Sequence, residues 1–348
     1  MLSLQIKAII PQTTDTNTYV LAPTNEAPVT YQAGQFLTLI FSREGSTVRR
    51  SYSLSSHPTF NTDLAITVKR VANGEISRWM LDHLQVGDIV KSLPPAGKFI
   101  LRDLEQHSPQ DIFFIAGGSG ITPIFSMLQS LLHDPRGNRI ILIYSSSNEQ
   151  ETIFWEPLQQ WAAQYDFFHL IPIFSQPSTA WQSGAKRLNN YQIEQLVNKY
   201  SQHGLSKSQF YLCAPFSLMR LVRLTLGFMG VTPSQIFQED YVIKPLEEAT
   251  PVKQNTTPSQ VKITYAGNVH HLEVPAHRTI LQVALSQDLQ LPYSCRGGRC
   301  SACNALCKKG EVQMVKNEVL TDRDLKEGWI LTCTARPVSE VIEIDIPS

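Results

Sequence analysis

The stretch "YSCRGGRCSACNALC", residues 293–307, holds four of the chain's six cysteines, at positions 295, 300, 303 and 307, around a pair of glycines. Its spacing reads Cys295-x4-Cys300-x2-Cys303, and a further cysteine, Cys333, follows after 29 intervening residues in "ILTCTARP". Thiols this dense staple secreted proteins through disulfides and serve metal or redox chemistry in reducing compartments. The N-terminus, "MLSLQIKAIIPQ", lacks the basic start, apolar run and cleavage site of a signal peptide and reads as a first strand. Its most apolar runs, "DIFFIAGG" and "RIILIYS", fall far short of the ~20 residues that span a bilayer. A cytoplasmic location is therefore expected, and the cysteines are expected to be ligands.

Two irons bridged by sulfides need four thiolates, and C-x4-C-x2-C with a distant fourth cysteine is the spacing that supplies them to a [2Fe-2S] cluster. The loop must bring three sulfurs together and offer N–H groups to the sulfides. Gly297 and Gly298 suit the positive φ and close approach that this demands. Two other readings stay open. Cys300-x2-Cys303-x3-Cys307 imitates half of a [4Fe-4S] run, but the first C-x2-C step is missing and Lys308 stands where proline belongs. Structural zinc prefers paired C-x2-4-C knuckles, which a three-plus-one arrangement matches poorly. The favoured ligands are Cys295, Cys300, Cys303 and Cys333, with Cys307 read as a small buried hydrophobe.

The 348 residues imply two or three domains, and 42% hydrophobic with 17% charged residues is a globular balance. A formal net charge of zero gives no field to recruit nucleic acid or anionic membrane. Residues 1–105 alternate in short runs such as "QFLTLIF" and "LAITVKRV", broken by Gly, Pro and Asn, as in an antiparallel β-barrel. Over 106–244, buried strands alternate with helices expected near 123–132, 190–200 and 217–229, the rhythm of an α/β parallel-sheet domain. A Pro-rich polar stretch over 245–259 reads as a linker. The last segment, 260–348, has two strands, a short helix near 279–287 and then the cysteine loop, an α+β unit.

Residues 260–348 resemble a plant-type ferredoxin domain of β-grasp fold, on "YSCRGGRCSACNALCKKGEVQM" and "GWILTCTARP". Upstream, "RRSYSLSS" resembles the flavin signature of the ferredoxin-NADP reductase family, with "YQAGQFLTL", "VKR", "NGEIS" and "LPPAGKF" in that family's order. The resemblance implies that Arg50 holds a flavin phosphate, Tyr52 packs on the isoalloxazine and Ser53 hydrogen-bonds near N5. It also implies contacts from Val68, Lys69, Gly74, Ile76 and Ser77, with backbone amides from Gly74 onward taking the pyrophosphate of FAD rather than FMN.

In "FFIAGGSGITPIFSML", a strand ends in a turn of Gly117, Gly118, Ser119 and Gly120, and Pro123 suits the first turn of a helix whose N-terminus favours an anion. Pro123 departs from the dinucleotide fingerprint at its third glycine but fits the reductase family's version, which implies that Thr122 lies near flavin and nicotinamide. "FYLCAPFSLM" resembles the family's Cys-Gly-Pro element. Cys213 then lies beside nicotinamide C4, with Ala214 replacing the usual glycine and Pro215 following. Family members that prefer NADPH carry arginines where this chain has Ser147 and Gln176, so NADH is expected over NADPH, although Lys186 or Arg187 are cations within the same stretch.

The order of flavin, nicotinamide and ferredoxin segments is similar to the reductases of phenylacetyl-CoA epoxidase, of the hybrid-cluster protein, and of hydroxylases and desaturases. It implies an electron-transfer oxidoreductase that carries electrons from NAD(P)H through FAD and the cluster to a protein acceptor such as an oxygenase or epoxidase component. A redox-sensing regulator and a direct flavin oxidase are the rivals. Retention of Ser53 and Cys213 speaks against the first, and the lack of a haem or substrate segment against the second.

Overall fold

The computed structural model describes residues 1–25, 27–43, 46–59, 63–72, 74–102, 109–178, 187–241, 258–298, 300–317, 319–320 and 322–347. Alternating apolar positions in the first hundred residues form strands β1 (Leu2–Thr13), β2 (Thr16–Pro23), β3 (Phe36–Arg43), β4 (Ser46–Ser53) and β5 (Leu64–Lys69), then helix α1 (Glu75–His83) and strand β6 (Ile89–Ser92). They pair in the order β4-β3-β6-β1-β2-β5. β1 runs antiparallel to β2 and β6, and β2 antiparallel to β5. Leu54, just past β4, bridges back to Ile66 of β5, so the sheet closes as the expected barrel. Residues two apart share a face of a strand. Leu4 and Ile6, Tyr19 and Leu21, Leu37 and Leu39, and Ile66 and Val68 accordingly turn inward and are buried.

The next segment alternates as expected: β7 (Asp111–Gly117), α2 (Ile121–His133), β8 (Arg139–Ser146), α3 (Trp155–Gln164), β9 (Phe168–Phe174), α4 (Asn190–Tyr200), β10 (Ser208–Cys213), α5 (Phe216–Phe228) and β11 (Ile236–Gln238). The strands are parallel, in the order β11-β10-β7-β8-β9. Ile112, Phe114 and Ala116 of β7 pack into one core with Tyr211 and Cys213 of β10, while Phe113 and Ile115 pack into the other with Phe210 and Leu212. Both faces are covered, which is why these strands read as unbroken apolar runs. Burying each such phenylalanine contributes about 1.5–3 kcal/mol. The sequence reading left α1 and α3 without helical assignments. Their apolar faces are narrow, with only Ile76, Ser77 and Met80 buried on α1 and only Leu158 on α3.

The C-terminal segment comprises β12 (Ser259–Tyr265), β13 (Asn268–Val274), α6 (Ile280–Ser286), β14 (Asn304–Lys309), β15 (Val312–Met314), α7 (Asp322–Lys326), β16 (Trp329–Leu331), β17 (Ala335–Pro337) and β18 (Val341–Ile346). Its main sheet runs β13-β12-β18-β14-β16, with β12 and β18 parallel and a separate β15-β17 pair. Cys303 and Cys333 belong to its core, beside Ala305, Leu331 and Ala335. The expected linker, 245–259, lies outside the described residues except for its last two, and Ser259 already opens β12. The expected boundary at 105–106 also lies outside them, as does Lys186. Contacts divide the chain into two units: Met1–Leu39, Tyr52–Pro95 and Phe99–Glu239 in one, and Ile40–Ser51, Ala96–Lys98 and Asp240–Ser348 in the other.

Candidate functional site

In the cysteine loop, backbone N–H groups lie against the thiols. Gly297 N–H donates to Cys295 Sγ at 3.3 Å, and Cys295 N–H to Cys300 Sγ at 3.4 Å. Cys333 arrives on the turn after β16, where both the N–H and the hydroxyl of Thr332 donate to the carbonyl of Cys303, at 3.0 and 3.1 Å. A hydrogen bond to Cys295, burial, and the charges of Cys295 and Cys303 push the Cys300 thiol well above its ordinary value. Hydrogen bonds to Cys295 and Cys303, then burial, do the same to Cys333. Four thiols this close resist ionising together unless cations stand among them. Among the described residues no three His, Cys, Asp or Glu side chains converge on the place of one metal ion. The Cys300 thiol contacts Cys295, and the Cys333 thiol contacts both Cys295 and Cys303.

The loop backbone departs in one detail from expectation. Gly298 has φ +75°, and a Cβ there would lie 2.6 Å from the Lys316 carbonyl oxygen. Gly297 is not in the left-handed region, which is instead occupied by Arg296 at φ 53° and Ser301 at φ 49°. The Ser301 hydroxyl is buried with no hydrogen-bond partner among the described residues, a donor beside Cys300 suited to a cluster sulfur. The residues present therefore fit a [2Fe-2S] cluster. Cys307 is half-buried rather than buried; it lies on β14 with its Sγ directed to the Lys309 and Gly310 carbonyls at 3.5 and 3.6 Å.

At the C-terminal edge of the parallel sheet, Cys213 ends β10 in register with Ala116 of β7, where the strand order reverses. That reversal is where ligands enter open α/β sheets. A Cβ on Gly120 would collide with the Cys213 carbonyl, and one on Gly117 would lie 2.5 Å from Pro215 Cδ and 2.9 Å from Ala214 Cβ. Both glycines are therefore demanded by the approach of the two strand ends. Gly118, at φ +53°, has open space around it and accepts the buried Tyr144 hydroxyl at 3.1 Å. The Thr122 hydroxyl donates to Ser119 O at 2.9 Å, and Pro123 is buried in the first turn of α2. α2 follows its N-cap Gly120 with no side-chain cap and no acid in its first turn; the Ile121 N–H is taken by the Gly118 and Ser119 carbonyls, and the dipole of the helix N-terminus favours an anion.

The barrel residues meet the same helix. Ser53 is buried, and just beyond it the Ser126 hydroxyl donates to Ser56 O at 2.6 Å while Gln129 Nε2 donates to Ser55 O at 2.9 Å. Arg50 and Tyr52 are half-buried on β4, and Arg50 Nη1 donates to Arg49 O at 2.8 Å. Val68 is buried, whereas Lys69 points its Nζ at Asp15 and Glu151, 3.4 and 3.7 Å away. Its side chain thus serves two carboxylates, which leaves its backbone as the part suited to a cofactor. α1 begins at Gly74 without a side-chain cap on its N–H groups; Ile76 is buried, and the Ser77 hydroxyl donates back to Gly74 O at 3.3 Å. The Tyr19 hydroxyl holds the other end of α1 through Met80 O at 2.9 Å, and burial pushes that phenol up to about 12.

The sequence reading overlooked three residues. Glu149 stands two residues beyond Ser147, where the Ser178 hydroxyl and N–H donate to its carboxylate at 2.7 and 3.2 Å. Glu239 is buried just past β11, its N–H bonded to Leu212 O at 3.0 Å, next to the Cys213 strand end. Arg49 is buried on β4. A lone acid at a strand end carries no pattern, and Arg49 was masked by the neighbouring Arg50.

The chain matches three family descriptions in order: an oxidoreductase FAD-binding domain over residues 3–100, an oxidoreductase NAD-binding domain over 114–224 and a 2Fe-2S iron-sulfur cluster binding domain over 263–338. It is 33% identical to the ferredoxin reductase component of 3-ketosteroid-9-alpha-monooxygenase from Mycolicibacterium smegmatis, across 99% of this chain and 96% of that one. It is 27% identical to the glycine betaine monooxygenase reductase subunit of Pseudomonas aeruginosa, across 96% and 92%. Among solved structures, phthalate dioxygenase reductase, described as a modular structure for electron transfer from pyridine nucleotides to [2Fe-2S], superposes with a TM-score of 0.60 at 26% identity, across 99% and 98%.

Proposed function

Because this chain belongs to the family of monooxygenase ferredoxin reductase components, NAD(P)H-dependent flavin and iron-sulfur reductases that pass electrons to a partner oxygenase, we propose a division of labour among its residues. Cys295, Cys300, Cys303 and Cys333 ligate the cluster. Arg50 holds a flavin phosphate, Tyr52 and Ser53 face the isoalloxazine, and the start of α1 from Gly74 to Ser77, with the backbone of Val68 and Lys69, takes the pyrophosphate. Gly117, Gly118, Ser119, Gly120 and Pro123 admit the nucleotide phosphates, while Thr122, Cys213, Ala214 and Pro215 line the nicotinamide. Ser147 faces the adenosine ribose, and NADH is the preferred coenzyme.

Bound flavin takes two electrons as a hydride and yields them singly. What the protein supplies is orientation. The closure of Gly117 and Gly120 on residues 213–215 holds the nicotinamide strand ends together, and α2 holds the chain after Ser53 through Ser126 and Gln129. The terminal acceptor is the oxygenase component of a hydroxylating system. The finer likeness to the phenylacetyl-CoA epoxidase and hybrid-cluster protein reductases is supported by residues 295–303 and 330–337, and a cytoplasmic site of action by the thiolate chemistry of the loop. Domain limits at 105, 244 and 259 are part of the same reading.

The observation that carries it is the meeting of four cysteines, one of them from a separate turn. Purified protein is expected to hold one FAD, two irons and two acid-labile sulfides per chain. Zinc, or four irons, in that analysis would overturn the ligand assignment.

A further inference from the structure

Arg49 precedes the flavin-phosphate candidate Arg50 on β4, and successive side chains of a strand point to opposite faces. The Arg49 side chain belongs to the same unit as the cysteine loop. It is 8% exposed, and donates from Nη1 to Leu291 O at 3.2 Å and from Nη2 to Gln290 Oε1 at 3.1 Å. Its guanidinium carbon lies 4.1 Å from the centroid of the Tyr293 ring, which is itself buried. Arg296 bears on that ring too, at 4.4 Å, and donates from Nη2 to the Tyr293 hydroxyl at 2.8 Å. Two guanidinium groups thus converge on one tyrosine, two residues before Cys295.

This arrangement is costly as it stands. Among the described residues the charged and titratable neighbours of Arg49 are Tyr293, Arg296 and Tyr265, with no carboxylate, and Arg49 Nε is buried with no hydrogen-bond partner among them. A buried cation beside a second cation is stable only if an anion answers it. Two ferric ions, two sulfides and four thiolates make a dianion, and one-electron reduction adds a further negative charge. We propose, on the reading of the cysteine loop given above, that Arg49 is a positioning residue for the iron-sulfur step. It is the buried countercharge of the cluster, with Arg296 as its exposed second, and it pins residues 290–293 to the strand that carries Arg50. One dipeptide then serves two cofactors, Arg50 the flavin and Arg49 the cluster loop. In the step it favours, one electron leaves the reduced flavin and enters the cluster, where one ferric ion becomes ferrous, and no bond forms or breaks at the cluster.

The test is an EPR-monitored potentiometric titration of the full-length holoenzyme. A fixed positive charge stabilises the more negative, reduced cluster, so Arg49→Gln is expected to lower the equilibrium constant for cluster reduction at least threefold, about 30 mV at 59 mV per tenfold. Arg49→Lys, which keeps the charge, is expected to stay near wild type. Arg296→Gln is expected to shift the same way by less, because solvent and salt screen it. An unchanged potential in fully loaded Arg49→Gln, or an equal shift in Arg49→Lys, would overturn the proposal. Should Arg49→Gln assemble no cluster, Arg296→Gln decides, an unchanged potential there counting against it. Wild-type protein lacking two irons would instead defeat the ligand assignment and would be seen before any variant is titrated.

Discussion

The carbonyl of Ser147 accepts the backbone N–H of Gln176 at 2.7 Å, so the ends of β8 and β9 stand side by side. An NADPH site would place arginines at these two positions, and here both residues are exposed and uncharged. Glu149 adds a negative charge next to them. Its hydrogen bonds from Ser178, first of all, hold its carboxyl below the usual value. A 2′-phosphate entering here meets repulsion, and the expected outcome is a higher kcat/KM for NADH than for NADPH.

Ser147→Arg should raise kcat/KM for NADPH roughly tenfold or more, since a hydrogen bond to a charged group is worth about 1.5–3 kcal/mol. Glu149→Gln should move it in the same direction by less. Steady-state kinetics with both coenzymes checks this, and a wild-type preference for NADPH would show the reading of 147–149 to be wrong.

Gly120→Ala is expected to cost stability and activity together. The new methyl would press on the Cys213 carbonyl, and overpacking of this kind costs about 1–3 kcal/mol. Separating the strand ends misplaces the nicotinamide, for which a loss of roughly 10²-fold in NADH-dependent flavin reduction is reasonable. Thermal unfolding and stopped-flow flavin bleaching measure the two effects separately.

Among the cysteines, Cys333→Ala should abolish the visible absorbance of the cluster, because the fourth ligand is lost. Cys307→Ser should leave that spectrum unchanged, since its Sγ is directed to the Lys309 and Gly310 carbonyls. A cluster that survives in Cys333→Ala and vanishes in Cys307→Ser would exchange their roles.

His57 predicts an acid limit to stability. Burial, and then the charge of His133, lower its basicity from 6.5, and its Nδ1 accepts the Thr59 N–H at 3.0 Å, which needs a free lone pair. Above the unfolded value both states are neutral and nothing is gained or lost. As pH falls below about 6.5 the unfolded chain takes up the proton first, so stability declines until the folded value is reached. His57→Gln should flatten that decline in Tm, and an identical pH profile in the variant would exclude the mechanism.

Much of this was legible in one dimension, for a definite reason. Cys295, Cys300 and Cys303 lie within nine residues, so their spacing alone limits where three sulfurs can go. Gly117 to Gly120 follow an apolar strand and precede a helix, and local backbone rules are enough to announce a turn for an anion. The parallel sheet was likewise readable, because a strand covered on both faces must be apolar throughout, as Phe113 and Phe114 are. The positive φ angles were less legible, falling on Arg296 and Ser301 as well as on Gly298.

What the tertiary structure decided are the meetings between distant segments. That Thr332 carries Cys333 to the Cys303 carbonyl, that Ser147 faces Gln176, and that Arg49 stacks on Tyr293 follow from strand pairing and from which side chains must share a core. No periodicity encodes them. A spacing can state how far apart two residues lie along the chain, but bringing them together has an entropic cost that only the packing of the whole fold offsets.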